Sequence, residues 1–135
     1  MGDLFLVGRI VFGGFFLYNG LNHFLLFPTF VQYAAAKGVP MPEVAVAAAG
    51  VLLIVGGVSV LTGYRPHLGL GCIALFLIGV TPVMHNFWAL TDPNQRVNEM
   101  GHFLSNVALF GATLMMFGVP LPWPHSLELH RRVRA

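Results

Sequence analysis

Residues 85–106 read HNFWALTDPNQRVNEMGHFLSN and gather His85, Asn86, Asp92, Arg96, Glu99, His102 and Asn106 in a chain otherwise rich in Leu, Val, Ala, Gly and Phe. Imidazoles and carboxylates can hold and pass protons, and amides and a guanidinium can grip a polar headgroup. A charged side chain deep in an apolar medium is costly, so it normally faces the protein interior and has a partner. For Glu99 two readings are compatible: an ion pair with Arg96 three residues before it, or a proton-transfer group or hydrogen-bond partner for a bound ligand. Asn19, Asn22 and His23 form a second polar set at i, i+3 and i+4, which is one helical face.

The elements that position these groups follow from composition. The 135 residues are 56% hydrophobic and 9% charged, against about 25% charged in a soluble domain. The runs Leu4 to Phe27, Glu43 to Thr62, Leu68 to Leu90 and Asn94 to Gly118 are each long enough to cross a hydrocarbon core of roughly 30 Å. The expected fold is therefore all-α, a four-transmembrane-helix bundle forming a single integral membrane domain over 1–135. The first run lacks a basic leader and a small-residue cleavage site, and is expected to be retained. Residues 28–42, bounded by Pro28, Pro40 and Pro42, are expected to form an interfacial loop or short helix able to cover the polar cluster. The TDPNQ turn predicts a helix start, with Asp92 as cap and Pro93 in the first turn. Residues 119–135 read as a basic tail.

Four spans put both termini on one side. That side carries Arg9, Arg65, Arg131, Arg132 and Arg134, and the other carries Lys37 and Arg96. The positive-inside rule assigns the termini to the cytoplasm and the polar cluster to the extracytoplasmic leaflet of the cell membrane. The basic tail suits an anionic membrane surface rather than nucleic acid. Arg9 is expected to snorkel to the interface or to cap neighbouring helix ends.

Four-span topology alone brings Asn19, Asn22 and His23 to the same level as His85, Asn86, Glu99 and His102. On the last helix Asp92, Arg96, Glu99, His102 and Asn106 fall within about 60° of one line. Below Asn106 that face turns apolar, the pattern of a pocket open from one side and not of a channel. For His23, His85 and His102 the readings are interhelical hydrogen bonding, a polar ligand, or haem or metal ligation, with a metal the weaker expectation. Glu99-x-x-His102 has di-iron spacing, but such sites need a second motif and two more glutamates. Cys72 is the one cysteine, so paired-thiol redox chemistry is excluded. No glycine lies in a nucleotide-binding context. Gly13, Gly14, Gly56, Gly57, Gly69, Gly71, Gly79 and Gly111 read as helix-packing positions. Trp88 and Trp123 read as interface anchors.

In order along the chain, GRIVFGGFFLYNGLNHF, PTFVQYAAAKGVPMP, GVLLIVGGVSVLTGYRPHLG and HNFWALTDPNQRVNEMGHFLSNVALFG resemble the successive segments of DoxX-like membrane proteins. That family is related to the DoxD subunit of an archaeal thiosulfate:quinone oxidoreductase. The resemblance implies a small four-helix membrane protein and, more distantly, quinone-linked redox. The chain departs from the family pattern with His23 and Ser105 where lysine is frequent, and with Leu53 where glutamate is frequent. His85, Arg96, Glu99, His102 and Asn106 remain of the pattern. The leading expectation is an accessory subunit of a membrane redox system that binds a quinone-like amphiphile through Asn19, Asn22, His23, His85, Asn86, Arg96, Glu99, His102 and Asn106. The alternative is a structural or assembly subunit, docked on other membrane proteins or on copies of itself through small-residue faces.

Overall fold

The computed structural model describes residues 1–134; Ala135 and the side chains of Arg132 and Arg134, part of the basic tail, lie outside the described residues. The described elements are helical: α1 Gly2–Leu25, α2 Phe27–Ala36, α3 Pro42–Thr62, α4 Pro66–Met84, a 3₁₀ turn Phe87–Ala89, α5 Pro93–Phe117 and α6 Leu127–Arg134. Four of them are long and apolar enough to cross a membrane. The protein is an all-α bundle with four candidate membrane spans, as its hydropathy predicts.

Two local features redraw the expected boundaries. The chain breaks for one residue at Leu26, whose N–H closes α1 on Asn22 O at 2.9 Å. The segment after it is a full helix. Pro28, expected to open a loop, sits in the first turn of α2, where a missing N–H costs nothing. α4 stops at Met84, six residues short of the expected Leu90. Pro82 in its last turn cannot donate back along the helix, and His85 leaves helical geometry with φ −117°. Asp92 caps α5 as expected, its Oδ1 accepting from the N–H of Gln95 at 2.8 Å.

α1 packs on α3, α3 on α4 and α4 on α5, whereas α5 and α1 make no close contact of comparable extent. Lipid is as apolar as leucine, so close packing and polar pairs hold these helices together more than burial does. Glycine supplies the closeness. A Cβ on Gly57 would stand 2.6 Å from Leu17 N and 2.8 Å from Gly13 O, a backbone contact that cannot give way. A Cβ on Gly56 would stand 2.6 Å from the Ile73 side chain and 3.0 Å from Gly69 O, both on α4. Gly14, Gly71, Gly79 and Gly111, expected to share this role, face open space within the chain. Gly57→Ala is therefore expected to lower unfolding stability by about 1–3 kcal/mol, and Gly14→Ala to leave it nearly unchanged. Thermal unfolding of the two variants in one detergent checks the contrast.

The segment after α5 is not a free tail. Trp123 is fully buried, edge-on to Phe5 at 5.2 Å, and joins the core of Phe16, Leu53, Val60, Leu70, Ile73 and Leu77. It is a core residue and not the interface anchor its position suggested. Trp88, in the 3₁₀ turn, is exposed. Arg9, also buried, caps helix ends: Nε donates to Val60 O at 3.1 Å and Nη2 to Leu61 O at 2.8 Å, at the end of α3. Its Nη1 donates to Pro124 O at 2.7 Å, which ties the C-terminal segment to the bundle.

Candidate functional site

At the end of the bundle away from the termini lies a cavity of about 560 Å³. α1, α2, α3, α4 and α5 all contribute to it: α2 lies in the segment expected as a cover, and α3 is the element the sequence did not indicate. Its walls are apolar, including Phe16, Val46, Leu53, Phe76, Leu77 and Val80. Its polar lining is Asn19, His23, Tyr33, His85, His102 and Asn106. Five of those six are among the sequence-derived candidates.

His85 is the best-defined group. Because α4 ends at Met84, the His85 ring is turned toward α5, and its Nδ1 lies 2.8 Å from Glu99 Oε2. Both side chains are mostly buried, at 19% and 17% exposure. The carboxylate can only accept, so Nδ1 carries the hydrogen. Nε2 is then the ring nitrogen left for a ligand, an acceptor on the neutral imidazole and a donor on the imidazolium. His102, one turn beyond Glu99, stacks on His85 with centroids 5.3 Å apart and an interplanar angle of 27°. The partner of Glu99 is thus His85 on another element and not the expected Arg96, which is exposed in the first turn of α5.

His23 is buried and held from within its own helix. Its Nδ1 lies 2.8 Å from Asn19 O, so this nitrogen also carries the hydrogen. The ring stacks on Phe30 of α2 at 4.5 Å. Asn19 spends a side-chain N–H on Phe15 O at 2.8 Å. Asn22 and Asn86 do not line the cavity. Asn86 Oδ1 instead accepts from Lys37 Nζ at 3.3 Å, tying the end of α2 to the α4–α5 connection. Among the described residues no three of His, Cys, Asp and Glu come together as a metal-ligand set, so His23, His85 and His102 do not converge as one. The stacked His85 and His102 rings do not face each other across a gap that a haem could fill.

Tyr33 is a lining residue that the sequence reading missed. Burial, and then the negative charge of Glu99, push its phenol above the ordinary value, so it stays a neutral donor. Phe30, Tyr33, Ala34 and Lys37 stand at i, i+3, i+4 and i+7. The helix expected as one reading of this segment carries that face, and Tyr33 was not singled out on it.

The DoxX family model matches residues 4–86, which include His23 and His85. The chain is 27% identical over 129 residues to the inner membrane protein YphA of Escherichia coli (strain K12), spanning 96% of this chain and 89% of that protein. No solved structure matches the chain.

Proposed function

The chain belongs to the DoxX family of membrane proteins, and from that premise we propose that it binds a quinone-like amphiphile in the distal cavity, as an accessory subunit of a membrane redox system. The observation that carries the reading is an apolar cavity ending at His85, whose Nε2 is uncommitted and whose Nδ1–H is fixed on Glu99. A quinone needs an apolar slot for its ring and tail, and donors for its two carbonyls. Imidazolium Nε2–H can donate to one carbonyl, and the Tyr33 hydroxyl is a neutral donor on the same wall. Neutral Nε2 can accept the proton of the reduced, phenolic form, with Glu99 stabilising the resulting imidazolium. Glu99 acts in this reading through His85 and does not touch the ligand. The open side between α1 and α5 offers a route from lipid, and the distribution of arginines supports a cavity facing the extracytoplasmic leaflet.

The test is binding of a short-chain ubiquinone analogue to the full chain in nanodiscs. His85→Ala is expected to weaken it about ten- to a hundredfold, the worth of one charge-assisted hydrogen bond. Arg96→Gln, at an exposed position outside the lining, is expected to leave it unchanged. Absence of saturable binding, or equal affinity in His85→Ala, rejects the reading.

One observation favours the alternative of a docking subunit. Only 6% of the α5 span is buried within the chain, against 39% for α3. Co-purification of a stoichiometric membrane partner that is lost in Val107→Trp, with no bound amphiphile, would support that role.

A further inference from the structure

At the opposite end of the bundle lies a second site: we propose that the cleft of Tyr64, Leu127, His130 and Arg131, with Arg65 beside it on the Tyr64 ring, binds the phosphate of an anionic phospholipid headgroup. Tyr64 and Arg65 form the short turn joining α3 to α4, and α6 lies across it. The cleft, about 510 Å³, is lined by Tyr64, Leu127, His130 and Arg131. Two guanidinium groups flank one phenol ring, the Arg131 Cζ at 5.5 Å and the Arg65 Cζ at 5.8 Å from its centroid.

Arg131 donates from Nη1 to the Tyr64 hydroxyl at 3.2 Å, which fixes its plane and leaves most of its five N–H groups unspent. Neither guanidinium belongs to the ion pairs His85–Glu99 and His125–Asp3. His130 has Nδ1 on Ser126 O at 2.8 Å, which leaves Nε2 for a ligand. The Arg131 guanidinium and the His130 imidazole in the cleft, with the Arg65 guanidinium beside the same phenol ring, match a phosphate, which arginine recognises through paired N–H groups.

The setting selects lipid over other phosphates. Tyr64 and Arg65 stand where two membrane spans meet the headgroup layer. α6 presents exposed Leu127 one turn before Arg131, on the same face. A helix that offers apolar and cationic groups together suits a lipid surface, where both find partners.

The full chain is incorporated in nanodiscs of mixed phosphatidylglycerol and phosphatidylcholine, released into mild detergent and examined by native mass spectrometry. Retention of phosphatidylglycerol over phosphatidylcholine is expected. Arg131→Gln, an exposed change that leaves the fold intact, is expected to reduce it about fivefold, and Arg65→Gln with Arg131→Gln by about the square of that. Equal retention of the two lipids by the native chain overturns the proposal, as does undiminished selectivity in the double variant. Displacement of the lipid by millimolar inorganic phosphate overturns it too, by showing a site for free phosphate.

Discussion

Arg9→Leu is expected to be the most destabilising single change in the molecule, lowering unfolding stability by about 3 kcal/mol or more. The side chain is buried, and among the described residues no carboxylate pairs with it. Its charge is held by carbonyl oxygens alone: Val60 and Leu61 at 3.1 and 2.8 Å, Pro124 at 2.7 Å and His125 at 3.5 Å. The first two belong to the C-terminal turn of α3, where unsatisfied carbonyls and the helix dipole both favour a cation. The guanidinium also lies 5.6 Å from the Trp123 ring. Leucine has a similar volume and no donors, so it would leave acceptors from two chain segments without partners, each costing about 1–3 kcal/mol where water cannot reach. Arg9→Lys is expected to fall between, because one ammonium cannot span carbonyls on both segments. The check is thermal unfolding together with tryptophan emission in a Trp88→Phe background, which reports Trp123 alone. Arg9→Leu should red-shift that emission as the C-terminal segment lifts away. An unshifted spectrum and native stability would show that the capping bonds are dispensable.

The contrast between Arg9 and Trp123 shows what the sequence could and could not reveal. A lone arginine among Gly, Ile and Val, one turn into a span, has few physical options, and helix-end capping was one of them. Trp123 follows Pro120 and Pro122 and precedes Pro124 and a basic stretch, a composition that reads as an irregular tail at the interface. Its burial depends on Arg9 drawing Pro124 and His125 into the bundle, a contact across more than a hundred residues that no local pattern announces. The four spans were legible because hydropathy over about 20 residues is insensitive to where a helix ends. The site was less legible because it depends on those ends. On a continuous helix Arg96 is the natural partner of Glu99. Once α4 stops at Met84, His85 swings free and takes that place. In the same way, leaving 28–42 open between loop and short helix fixed no register for Tyr33, while a helix starting at Phe27 puts Tyr33 on the wall of the cavity.

If His85 and Glu99 form one unit, their substitutions must be strongly non-additive, and the pattern is specific. His85→Ala leaves a carboxylate mostly out of water with the hydrogen-bond partner it has among the described residues gone. Breaking such a pair from one side costs about 3–5 kcal/mol when it is fully buried. With some exposure remaining here, a loss of about 2–3 kcal/mol is expected. Glu99→Gln keeps the shape and an acceptor for Nδ1–H, and is expected to cost under about 1 kcal/mol. The double variant His85→Ala with Glu99→Gln should recover most of the single loss, because a neutral amide without its partner costs less than a stranded charge. Stability measured for all four chains in bicelles gives the coupling directly. Ligand affinity on the same four chains then separates structure from function. If His85 touches the ligand, the double variant regains stability and not affinity. If it regains both, the pair serves only to join α4 to α5, and the cavity draws its selectivity from Tyr33, His102 and Asn106.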